Sequence, residues 1–232
     1  MSPSDVVLKN SSIETVNPKQ RPSECAELKF FHAYYLDKEA QIRARLADFK
    51  KPRTEQFLWE ELIYCLFAAN SSGKMAETAV RLLGPIHKTA TLEELQAAVH
   101  KKVRFYNVRS RFFFVNREFI ATNHGTFLTF VGSFDDVYTL RNVLADEFLG
   151  MQFKEASHYL RNIGFSGLCI IDKHVLFLMK EFGVLRSTKP PKNKKEYFRI
   201  EKKVLDFAKS QNYDVDVLDL ALWSYRSGHI GR

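Results

Sequence analysis

The sequence predicts an all-α fold, and three observations carry that expectation. From about Cys25 onward apolar residues recur at helical spacing, no alternating pattern of the kind a half-buried strand needs persists, and capping residues stand in front of the periodic stretches. With 232 residues and 45% apolar content the chain can bury a full core, as one large domain or as two small helical lobes sharing a cleft. No internal repeat is visible.

Residues 1–24 mix Ser, Pro, Asn and isolated charges without sustained periodicity and read as a mobile or loosely docked arm, so the folded unit is expected over 25–232. After Pro52, Thr54 can cap a helix with Glu55 in its first turn, and Leu58, Leu62, Cys65, Leu66 and Ala69 then give it one apolar face. That helix stops at Asn70-Ser71-Ser72-Gly73, a turn rich in cap residues, and Lys74 to Leu83 form the next, ended by Gly84-Pro85. Thr91-Leu92-Glu93-Glu94 reads as a capping box leading into a helix through Ala97, and a longer helix is expected from Asn107 to Ala121. Lys189-Pro190-Pro191-Lys192-Asn193-Lys194-Lys195 makes a basic, proline-stiffened linker before the last helices, which include Leu218 to Tyr225.

Thirty-five Lys and Arg against 27 Asp and Glu give a formal charge of +8, which suits a polyanionic partner such as nucleic acid and equally a merely basic soluble protein. Cys25, Cys65 and Cys169 are odd in number and scattered, which argues against a disulfide framework and a Cys-rich metal site and for a reduced, intracellular compartment. No apolar run approaches the ~20 residues that cross a bilayer, so a soluble protein without a membrane partner is expected.

The most informative stretch runs from Phe148 to Lys180. A turn at Leu149-Gly150-Met151-Gln152-Phe153 feeds a helix that opens near Lys154, and a second helix starts at Asp172 after the apolar run Leu168-Cys169-Ile170-Ile171. That spacing can bring the lysine and the aspartate to one cleft, and Asp172 is also a good N-cap for the helix from Lys173 to Phe182.

This stretch resembles the helix-hairpin-helix DNA glycosylases, and within them the type 2 family of 8-oxoguanine DNA glycosylase/AP lyases. The family's hairpin (apolar, Gly, apolar, Gly, any, Lys) falls on Leu149-Gly150-Met151-Gln152-Phe153-Lys154, and Asp172-Lys173-His174 sits where the family carries its catalytic aspartate. Gln152 departs from the pattern by occupying the position of the second glycine, where a Gly permits positive φ or close approach of a phosphate. The resemblance implies two helical lobes with a DNA-binding cleft between them, Lys154 as nucleophile and Asp172 as its charged partner. It further implies DNA contacts from the hairpin at Gly150 and Gln152, from His174, and from the turn at Asn70, which otherwise reads simply as a helix-capping turn.

The family ends shortly after a tryptophan and uses its terminal residue to read the damaged guanine, and Trp223 stands nine positions before Arg232 in the same relation. Arg232 replaces the family's usual lysine but keeps a carboxylate that can accept from guanine N1–H and N2–H. Trp223, and Phe105 in Arg104-Phe105-Tyr106-Asn107, are candidates to stack against the extruded base. The resemblance adds a monovalent cation between hairpin and phosphate, although no sequence feature points to one; no metal or other cofactor is expected. Three scattered cysteines cannot supply the four thiolates of the iron-sulfur branch.

The implied chemistry is coherent. The target nucleotide must leave the stack before its sugar can be attacked, and a neutral lysine can then displace the base at C1′ to give an imine that permits β-elimination of the 3′ phosphate. A lysine amine in water titrates at about 10.4, so burial or a neighbouring cation is needed to favour its neutral form. An aspartate does a different job, stabilising positive charge on the deoxyribose and assisting proton movement. The expected partner is double-stranded DNA containing 8-oxoguanine or abasic sites, bound by a monomer. The rivals are a glycosylase of the same superfamily for another lesion, a noncatalytic helix-hairpin-helix module and a plain helical interaction protein.

Overall fold

A computed structural model describes residues 25–51 and 53–231, and over those residues the chain is built from helices with no strand. In order they are α1 (Ala26–Phe49), α2 (Glu55–Ala68), α3 (Gly73–Leu83), α4 (Leu92–Val99), α5 (Tyr106–Asn123), α6 (Phe127–Gly132), α7 (Val137–Glu147), α8 (Phe153–Asn162), α9 (Lys173–Glu181), α10 (Lys194–Ser210) and α11 (Val215–Ser227). The all-α expectation holds. The N-terminal arm over 1–24, Pro52 and Arg232 lie outside the described residues.

Local capping chemistry sets most helix starts. Thr54 accepts from the Phe57 amide, Ser72 from that of Met75, and Thr91 with Glu94 completes a reciprocal capping box, so each helix satisfies amides that have no partner within the helix. Where the structure departs from the sequence reading, tertiary packing and local caps both contribute; Thr126 and Asp136 cap α6 and α7. Helix α2 buries Leu58, Trp59 and every residue from Glu61 to Phe67, rather than one face, because α3, α5, α6 and α8 all pack against it. Helices α6 and α7 fill 127–147, a stretch for which the sequence reading has no element; the Glu55 carboxylate reaches across from α2 to accept the Phe127 and Leu128 amides at 2.8 Å each. The basic linker is also shorter than expected, since Asn193 caps α10 and puts Lys194 and Lys195 in its first turn.

Two apolar cores result. One gathers α2 to α8 around side chains such as Leu62, Phe113, Phe127 and Tyr159; the other joins α1 to α9, α10 and α11 around Phe31, Ile42, Leu178 and Leu218. Each fully buried Leu or Phe of these cores contributes roughly 1.5–3 kcal/mol relative to exposure. The described chain therefore passes from one lobe at α1 to the other through α2 to α8 and returns with α9 to α11. Helix α8 lies at the seam, with Ala156, Tyr159 and Leu160 in the first core and Phe153 packed against the second. A buried bidentate pair also spans the lobes: Arg141 of α7 donates to both carboxylate oxygens of Glu201 on α10 at 2.5 and 2.9 Å.

Candidate active site

Between the lobes lies a cleft of ≈ 1020 Å³, lined on one side by Tyr64, Asn70 and Ser71 and on the other by residues 171–176, the 188–194 segment and Trp223, with α8 across it. The hairpin before α8 is held in place by Asn116 of α5, whose side chain donates to the Leu149 carbonyl at 3.0 Å and accepts from the Leu149 amide at 2.8 Å. Gly150 is required twice over. Its φ is +79°, and an added Cβ would run into the ring of Phe112. Gln152 shows why the missing second glycine is tolerated: it is exposed and extended at φ −118°, ψ −177°, a conformation open to any residue. Its side chain makes no capping hydrogen bond, so the first amides of α8, whose residues 152–155 line the cleft, are left without a side-chain acceptor at the cap.

Lys154 stands in the first turn of α8, about a third exposed, with Nζ 3.5 Å from the Glu155 carboxylate. His158 and Arg161 follow at helical spacing on the same face, and all three line the cleft.

Beyond α8 the chain crosses the cleft floor without regular structure, and side chains supply what a strand partner would. The Gly167 amide donates to Asp216 at 3.0 Å, the Cys169 amide to Glu201 at 3.3 Å and the Ile170 amide to Asp219 at 2.9 Å, while the Cys169 carbonyl accepts from the Tyr197 hydroxyl at 2.7 Å. This segment delivers Asp172 to the start of α9, where one carboxylate oxygen accepts the amides of both His174 and Val175 at 2.8 Å. The cap uses Oδ1 only. His174 is half-buried on the same wall, and burial holds its imidazole below the ordinary histidine pKa.

Trp223, half-buried on α11, also lines the cleft, edge-on to His229 at 4.8 Å between ring centroids. The structure thus brings Lys154, Asp172, His174, Gln152, Asn70 and Trp223 to one cleft. Gly150 supports that cleft from behind rather than lining it. Phe105 does not reach it: at φ 55° it precedes α5, half-exposed, between the guanidinium groups of Arg104 and Arg109 at 5.1 Å each.

The sequence reading gives no site role to Glu155, His158, Arg161, Asp219 or His229, all of which line the cleft. Helical spacing from Lys154 was a usable signal for His158 and Arg161. An aspartate inside the apolar run Leu218-Asp219-Leu220-Ala221-Leu222 was a signal for Asp219, since an acid placed there must find a partner.

Comparison with known proteins adds the following. Residues 42–213 match the family model described as 8-oxoguanine DNA glycosylase. An 8-oxoguanine DNA glycosylase/AP lyase of Thermoplasma volcanium is 31% identical over 209 residues, covering 86% of this chain and 98% of the relative. The crystal structure of the 8-oxoguanine DNA glycosylase of Thermotoga maritima superposes with a TM-score of 0.78 at 28% identity, covering 88% of this chain and 97% of that one. A Methanocaldococcus jannaschii 8-oxoguanine glycosylase/lyase, solved in complex with a 15mer DNA containing 8-oxoguanine, has the same TM-score at 25% identity, covering 88% of this chain and all of that one.

Proposed function

We infer the reaction from a premise that these relatives establish: the chain belongs to the 8-oxoguanine DNA glycosylase family. It is a DNA-repair enzyme that excises 8-oxoguanine from duplex DNA and then cleaves the abasic strand, with residues 25–232 acting as one two-lobed, monomeric catalytic unit. One observation carries the assignment of roles: the N-termini of α8 and α9 open on the same cleft, one presenting Lys154 and the other Asp172.

The damaged nucleotide leaves the stack and enters the cleft, because C1′ is out of reach within the duplex. The uncapped amides at the start of α8 and the hairpin backbone hold the adjoining phosphate, aided by the positive end of the helix dipole and by Lys173, Lys192 and Lys194 around the cleft. Trp223 offers a face to the extruded base. The Lys154 nitrogen attacks C1′ as the C1′–N9 bond breaks and the base departs with the electron pair. Asp172, held still by two amides on Oδ1, keeps its second oxygen for the positive charge that develops on the sugar. The nitrogen loses a proton and the C1′–O4′ bond breaks, with O4′ taking up a proton, which opens the sugar ring and gives the protonated imine; removal of a C2′ proton then expels the 3′ phosphate, and water releases the lysine.

Borohydride trapping on a duplex with a single 8-oxoguanine tests this. A covalent adduct is expected with the unmodified protein and not with Lys154→Gln or on undamaged DNA. Absence of any adduct and of base release, with DNA binding preserved, would move the protein to another lesion or to a binding role.

A further inference from the structure

We propose that Asp219 is a positioning residue for both reacting side chains, a single buried carboxylate that ties the helix carrying Lys154 to the segment delivering Asp172. The inference rests on the roles given above to Lys154 and Asp172. Asp219 is 4% exposed on α11, at the cleft floor. Its Oδ2 pairs with Arg161 Nη1 at 3.3 Å, and its Oδ1 accepts the Ile170 amide at 2.9 Å. Arg161 lies seven residues after Lys154 on the same face of α8, and Ile170 lies two residues before Asp172. The two elements have no backbone ladder between them, so their relative placement depends on side chains of this kind.

The fixed point is itself anchored. Arg161 donates from Nε and Nη2 to Asn162 Oδ1 at 3.3 and 3.1 Å, its guanidinium lies over the Phe49 ring at 5.1 Å, and Asn162 donates to Glu61 of α2 at 2.8 Å. A polar chain therefore runs from α2 through α8 to α11 beneath the reacting groups. Burying it is costly: desolvation pushes the Asp219 carboxyl up to about 7 despite the guanidinium beside it. An apolar residue would fill this place at lower cost but leave the Ile170 amide without an acceptor, so stability alone does not explain an aspartate here.

The test separates binding from chemistry. With Asp219→Asn, an acceptor for Ile170 is kept and the pairing with Arg161 is lost. Affinity for 8-oxoguanine duplex is expected within about threefold of the unmodified protein, with single-turnover base release and borohydride trapping slowed by about 10²-fold, the scale of a small misplacement of reacting groups. Asp219→Glu, which keeps charge and acceptor, should recover part of that rate. Asp219→Asn combined with Arg161→Gln removes both charges and is read if the single variant does not fold. A folded variant with unchanged rate overturns the proposal, as does parallel loss of affinity and rate, or failure of the charge-free pair to fold. If the unmodified protein itself gives no adduct, the lysine assignment fails instead.

Discussion

The N-termini of α8 and α9 face one cleft but are finished differently. Gln152 in front of α8 makes no capping bond, whereas Asp172 in front of α9 takes two amides on one oxygen. The uncapped end leaves its donors and dipole without a side-chain partner, the arrangement from which we propose a phosphate contact, and the capped end has used its donors to lock a carboxylate in place. Similar backbone geometry thus serves two purposes, and the side chain at a single position decides which.

The largest effect expected from disturbing this pair is at α8. Lys154→Gln should abolish base release and strand cleavage, a loss of at least ~10³-fold by the scale of removed nucleophiles, while gel-shift affinity for lesion DNA stays within a few-fold. At α9, Asp172→Asn preserves the cap, because Asn caps as well as Asp, and removes only the charge. Single-turnover excision should fall ~10²–10³-fold, as when one stabilising electrostatic group is lost, with the melting temperature almost unmoved. Asp172→Ala should add about 1 kcal/mol of destabilisation in a denaturant titration. Equal stability of the Asn and Ala variants would remove the capping role.

The hairpin distinguishes its two positions more gently. Gly150→Ala meets both a left-handed backbone and the Phe112 ring and should cost ~1–3 kcal/mol in urea unfolding. Gln152→Gly, at an extended position, should change stability by only a few tenths of a kcal/mol.

The support behind α9 has a pH signature. The Asp219 carboxyl is raised from the ordinary 3.8 to about 7, so its contribution to stability is full below about 4 and is lost as pH rises through 7. Melting temperatures of the unmodified protein and Asp219→Asn across pH 4–8 should therefore diverge in slope, with the downward trend from this group absent in the variant.

The sequence made the local features of this site legible and hid the distant ones. Thr54, Ser72, Thr91 and Asp172 cap helices through amides two or three residues away, and the hairpin pattern around Lys154 is contiguous, so spacing alone reveals them. The start of α6 takes Glu55 from 72 residues earlier in addition to its own Thr126 cap, and the Asp172 segment depends on Tyr197, Glu201, Asp216 and Asp219, all from helices later in the chain. Neither dependence leaves a periodic trace. Phe105 marks a different limit: its exposed ring lies against two guanidinium groups and outside the lining of the cleft, a placement that no local spacing reveals.

Peptide mapping of the borohydride-reduced adduct is the most direct test, because Lys173, Lys192 and Lys194 line the same cleft as Lys154. With the unmodified protein and an 8-oxoguanine duplex, tandem mass spectrometry should find the reduced sugar remnant on Lys154 alone. A remnant on any of the other three lysines would contradict the division of roles between the two helix starts.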